Sequence, residues 1–294
     1  LVRPAAGGMT ADGVTRPRSA GRRAALALLC ATTLLPGLAR AQATATRVVS
    51  LGGTMTEIVY ALGAGARLVG VDDSSIYPEA ATRLPKVGYY RGFSIEGVAS
   101  LRPDLVLASD QAGPPQALAQ LRRLGVEVVT LPSAPTVDAL ARRIEGVAAV
   151  LGRQAQAQVL ITQSRGQVEE MAQVPGGQRV LLVSSRTGQL EGAGRETAAD
   201  AMIRLAGAIN VLGGERGYKP ISAEGAAALA PDVIVTTTMS VAASGGFEAF
   251  VAQPGIAVTP AAKAGRVIVM DDLLLVGFGP RLPEALRQLR AGLK

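Results

Sequence analysis

Residues 94–107 read SIEGVASLRPDLVL, and residues 222–235 read SAEGAAALAPDVIV. At an offset of 128 the two stretches share Ser, Glu, Gly, Ala, Leu, Pro and Asp in step. A Gly-Tyr pair precedes each copy, Gly88-Tyr89 in the first and Gly217-Tyr218 in the second. Recurrence of this kind marks an internal duplication of one supersecondary unit. The unit reads as a helix followed by a strand. Ser94 and Ser222 are N-cap residues. Glu96 and Glu224 stand at N2, where the helix dipole favours a negative charge. Pro103 and Pro231 end the helix, and the apolar runs 105–108 and 233–235 have the look of buried parallel strands.

The flanking sequence extends the pattern. Residues 47–51, 68–71 and 126–131 read as strands of a first lobe, with a helix over 116–124. Gly52-Gly53-Thr54 leads into a helix in which Thr54 and Glu57 have capping-box spacing. In the second half, 179–184 and 267–270 read as strands and 198–206 as a helix. Strands alternating with helices mean α/β with parallel sheets, here in two lobes. Between the lobes, residues 136–174 contain no proline, and Leu140, Ile144, Val147 and Leu151 recur at helical spacing. This predicts a single long connecting helix and little hinge motion; the alternative is two shorter helices broken at Gly152 or Gly166. The resulting organisation is 1–41 signal peptide, 42–135 N-terminal lobe, 136–174 connector and 175–294 C-terminal lobe.

Composition removes several function classes. The 294 residues include no His and one Cys, Cys30. Histidine-ligated metals, Ser-His-Asp triads, Cys-His dyads and internal disulfides are therefore excluded. The formal charge of +7 is concentrated at the N-terminus. Removing the six Arg and one Asp of 1–41 from the 30 basic and 23 acidic residues leaves +2 over 42–294, so the charge does not point to nucleic acid. Arg22-Arg23, the apolar run 24–35 and Ala39-Arg40-Ala41 have the three-part layout of a secretory signal peptide, which predicts a periplasmic, cysteine-free mature protein.

Several motifs now carry a family. They are Leu84-Pro-Lys-Val-Gly-Tyr-Tyr-Arg with Ser94-x-Glu96-Gly97, the stretch from Gly194-Arg-Glu-Thr to Leu205-Ala-Gly, Gly217-Tyr-Lys-Pro-x-Ser-Ala-Glu, and Leu273-Leu-Leu-Val-Gly-Phe-Gly-Pro-Arg. In order and spacing they resemble the haem-binding proteins of bacterial haem-uptake ABC transporters, over essentially 47–294. The resemblance implies two Rossmann-like lobes with parallel sheets, joined by one long helix with a ligand cleft between them, and a monomeric carrier, not an enzyme. It would hold haem b as its transported ligand and pass it to an inner-membrane permease dimer driven by a cytoplasmic ATPase. It also implies that Tyr89 is the axial iron ligand with Arg91 beside it, and that Glu96 and Glu224 meet permease arginines.

The chemistry suits those residues. A phenolate is a hard anionic oxygen donor for ferric iron, and a nearby cation favours its ionised form. Arg91 at i+2 falls on the side of Tyr89 if the chain is extended there, placed for the phenolate or a propionate. Tyr90 packs on the porphyrin edge or stays solvated. Arg186, in the second lobe, meets a propionate or is an ordinary surface charge. Tyr218 faces the cleft or packs under the helix that follows, the second being favoured. The family's occasional second-lobe histidine is absent here, so five-coordinate haem, or haem with a weak sixth ligand, is expected. Met55, Met171, Met202, Met239 and Met270 read as core fillers. Two alternatives remain: the same fold binding a corrinoid or ferric siderophore, and an enzyme on a Rossmann-like scaffold.

Overall fold

A computed structural model describes residues 45–172, 177–185 and 189–294; the signal peptide reading and Arg186 lie outside the described residues. The first lobe is a four-stranded sheet of β1 (Val48–Leu51), β2 (Leu68–Val71), β3 (Leu105–Ser109) and β4 (Glu127–Leu131). Its order is β2-β1-β3-β4 and every pairing is parallel. β1 and β3 are buried at every residue, which is why they read as unbroken apolar runs.

The second lobe contains β5 (Arg179–Ser185), β6 (Leu190–Ala193), β7 (Ile209–Asn210), β8 (Tyr218–Pro220), β9 (Val233–Thr237) and β10 (Val267–Met270). The order is β10-β9-β5-β6-β8, with β7 also on β5. β10, β9, β5 and β7 pair in parallel, whereas β6 and β8 add an antiparallel margin that the sequence pattern did not announce. The reason is chain length. β6 begins five residues after β5 ends, too soon for the crossover that a parallel strand requires.

The duplication is visible in atomic detail. Ser94 Oγ accepts from Gly97 N at 2.9 Å, and Ser222 Oγ accepts from Gly225 N at 3.0 Å. Each helix is left through a residue of positive φ, Arg102 at 48° and Ala230 at 41°, one step before the proline. Asp104 then accepts from Arg47 N at 3.0 Å, and Asp232 from Arg179 N at 2.8 Å. The side chains of the same two arginines donate to the carbonyls of Leu101 and Leu229. The Pro-Asp signature thus ties each helix end to the strand that opens its lobe.

The single long connector is corrected. Helices Val137–Leu151 and Gln154–Ala172 are separated by Gly152, which caps the first in the left-handed conformation at φ 64°. The chain reverses there. Arg165 of the second helix pairs with Asp138 at the start of the first at 2.8 Å, so the two form an antiparallel hairpin. The second helix, roughly 28 Å long at 1.5 Å per residue, packs against the C-terminal helix Leu282–Leu293.

The lobes share one apolar core. It runs from Val48 and Ile58 through Ile144 and Ile161 to Val180, Val233 and Leu286. Polar ties cross at the same place. Thr54 Oγ1 donates to the Gly277 carbonyl at 2.8 Å, buried Arg143 donates to the Phe278 carbonyl, and Glu57 pairs with Arg281. Thr54 and Glu57 therefore form no capping box. Gly52, at φ 122°, turns the chain into a helix at Gly53–Ala61, leaving both side chains for the second lobe.

Candidate functional site

In open α/β sheets ligands bind beyond the carboxyl ends of the strands. In the first lobe those ends carry three connected loops. The loop after β2 is built on Asp72, which is fully buried. Its carboxylate accepts from Gly52 N at 3.0 Å, Ser74 Oγ at 2.6 Å and Ser75 Oγ at 2.7 Å. Lys86 Nζ donates to the Ser75 carbonyl at 2.8 Å, and burial lowers its pKa. Asp73 N then donates to the Gly88 carbonyl at 3.0 Å, which fastens this loop to the one bearing Tyr89.

Tyr89 is 42% exposed on that second loop. Tyr90 is half-buried against a first-lobe cluster that includes Phe93, Val98 and Leu118, so it is not simply solvated. The two rings lie 4.6 Å apart between centroids and are tilted by 60°. The chain is not extended here: Gly92 N donates to the Tyr89 carbonyl at 2.7 Å, which makes Tyr90 and Arg91 the corner of a turn. That turn removes the expected direct approach of Arg91 to Tyr89. Arg91 Nε instead donates to Tyr90 Oη at 3.0 Å, and its guanidinium also donates to Gln111. Gln111 in turn donates to Ser133 Oγ at 2.8 Å.

Burial pushes the Tyr90 phenol above its ordinary pKa, and its hydrogen bond with Tyr89 works in the same direction against Arg91. A protonated Tyr90 accepts from Arg91 and has its own hydrogen available for the Tyr89 oxygen. Gln111 and Ser133 hold the Arg91 cation against the Tyr90 hydroxyl, whose ring lies beside the exposed Tyr89 ring.

The helices carrying Glu96 and Glu224 run back against β3 and β9. Their N-termini therefore face the same way as the strand carboxyl ends. Both glutamates are exposed, and among the described residues neither forms an ion pair. Tyr218 is 43% exposed on β8, so the favoured reading of a residue packed under the following helix is corrected. Met239 is likewise not core. It is 52% exposed at the carboxyl end of β9, where its backbone N and the Thr238 hydroxyl donate to buried Asp272. Tyr77, Gln111 and Ser133 are not singled out in the sequence, and Met239 is read there only as a core filler. Nothing local marks them, because each matters through chain segments distant in sequence. A separate concavity of about 620 Å3 lies on the second lobe, lined by Leu190, Ile221, Ser222 and Pro254. Its lining offers no charged group or phenol, so it is a poorer candidate than the Tyr89 rim. Among the described residues no cluster of three or more acidic, His or Cys side chains is placed to hold a metal ion.

Comparison with known proteins agrees with this geometry. The periplasmic binding protein family model matches residues 48–274. The periplasmic haem-binding protein RhuT of Roseiflexus sp. RS-1, in its apo form, is 39% identical, with 84% of this chain and 97% of that one covered at a TM-score of 0.80. The periplasmic haem-binding protein BhuT, in complex with two haems, is 45% identical over 84% and 97% at a TM-score of 0.78. A vitamin B12-binding protein of Yersinia pseudotuberculosis is 39% identical, over 43% of this chain and only 43% of its own length.

Proposed function

The chain belongs to the periplasmic binding protein family, and from that premise we propose that it binds ferric haem through Tyr89 and delivers it to an ABC permease in the inner membrane. The observation that supports this most is the exposed Tyr89 phenol beside the hydrogen-bonded Tyr90–Arg91 pair. A bare metal ion needs several protein ligands, whereas iron already held by four porphyrin nitrogens needs one axial donor. A lone exposed phenol oxygen meets that need. The resemblance to the haem-binding structures extends over most of the chain, while the vitamin B12-binding relative matches less than half of it.

In this reading Tyr89 supplies the oxygen, and Tyr90 keeps its proton and orients toward that oxygen. Arg91 contributes positive charge and is within reach of a propionate once it leaves Gln111. Haemin and cyanocobalamin, titrated separately and followed by absorption, test the choice of ligand. Saturable haemin uptake with a ferric-phenolate charge-transfer band is expected, with no uptake of cyanocobalamin. The reverse result would move the chain to corrinoids.

Glu96 and Glu224 are proposed to dock on cationic residues of the permease, one from each lobe. Reversing both charges, Glu96→Lys with Glu224→Lys, should leave the haemin titration unchanged and reduce uptake in a reconstituted transporter at least tenfold. Normal uptake by this variant would remove the docking role.

A further inference from the structure

Tyr77 lies on the loop after β2 and is 44% exposed, although its ring is already engaged from one side. The guanidinium carbon of Arg281 sits 3.6 Å from the ring centroid, within cation–π range. Arg281 is only 17% exposed. It comes from the C-terminal segment and also donates through Nε to Glu57 at 2.9 Å, with Asp271 Oδ1 at 4.0 Å. Three distant parts of the chain thus meet: the first-lobe helix through Glu57, the C-terminal segment through Arg281, and the β2 loop through Tyr77.

The ring is held where a ligand would need it. Its loop is locked by Asp72 and Lys86, and through Asp73 it is bonded to the carbonyl of Gly88, the residue before Tyr89. Tyr77 and Tyr89 therefore ride on fastened loops at one end of the first sheet. A tyrosine that served only to join the lobes would be buried on both faces. Here Arg281 covers one face, and the residue is nonetheless 44% exposed.

We infer that Tyr77 is a ligand-contacting ring whose open face stacks on the planar tetrapyrrole held by Tyr89, with Arg281 as the residue that positions it. The inference rests on the haem reading and adds a contact at which the second lobe influences retention without touching iron. Arg281 acts through Tyr77 and is a positioning residue only.

Release of bound haem to excess apomyoglobin, followed together with the charge-transfer band, tests this. Tyr77→Ala should release haem about 5- to 100-fold faster, the range expected for losing one stacked ring, with the band unchanged because the iron ligand is intact. Tyr77→Phe should behave as wild type. Arg281→Lys keeps the charge but lacks the planar group that lies on the ring; it should release haem faster than wild type, and adding it to Tyr77→Ala should change little further. Release from Tyr77→Ala at the wild-type rate would overturn the inference and leave the haem reading standing. A wild-type protein that takes up no haemin would overturn both.

Discussion

Replacing Tyr89 by Ala should abolish the ferric-phenolate band and weaken haem binding by more than the roughly 10- to 100-fold that loss of an outer-shell partner causes at a metal site. The size follows from there being one candidate donor. The described residues hold no metal-binding cluster, and the chain has no histidine to substitute. Tyr90 is not a ready replacement. Its ring packs against the first-lobe core, its hydroxyl is engaged by Arg91, and its pKa is raised chiefly by burial. Tyr89 is exposed, so its removal should not destabilise the fold. Equilibrium titration with haemin, checked by thermal melting of the apoprotein, measures both quantities. Unchanged affinity with unchanged spectra would assign the iron to another residue.

Exchanging Glu57 for Gln should leave stability nearly unchanged at pH 4 and raise it at pH 8. Desolvation pushes the Glu57 carboxyl from 4.5 to about 7, more than its hydrogen bond and attraction to Arg281 lower it; Asp271 and Glu284 add to the rise. The folded state therefore holds a proton that the unfolded state has lost between these pH values. Stability from this group is fully present below about 4.5 and is lost as pH rises through about 7. A shift of that size corresponds to on the order of 3 kcal/mol. Gln mimics the protonated acid at every pH, so the variant should lack this part of the pH profile. Urea midpoints at pH 4 and pH 8 provide the comparison. A variant less stable than wild type at pH 8 would show that pairing with Arg281 outweighs the cost of burying the charge.

The parts of the fold legible in sequence were those set by local rules. The duplicated Ser-x-Glu-Gly and Pro-Asp units appear as N-caps, helix exits and strand anchors because each residue acts within its own turn or on the adjoining strand. The connector was misread where apolar periodicity continued on either side of Gly152, and one left-handed residue was enough to reverse the chain. Thr54 and Glu57 had capping spacing but serve contacts more than 220 residues away. No window of sequence contains that information. The same holds at the rim. Tyr89, Tyr90 and Arg91 stood out as an aromatic and charged group in a chain poor in aromatics. The turn that sends Arg91 to Tyr90 and Gln111, and the Arg281 contact that holds Tyr77, depend on tertiary placement.

Resonance Raman spectroscopy of the ferric haem complex tests the iron–Tyr89 bond most directly. An iron–phenolate stretch with tyrosinate ring modes is expected in wild type and in Tyr90→Phe, and its loss is expected in Tyr89→Phe. Persistence of those modes in Tyr89→Phe, or their absence from wild type loaded with haem, would contradict ligation by Tyr89.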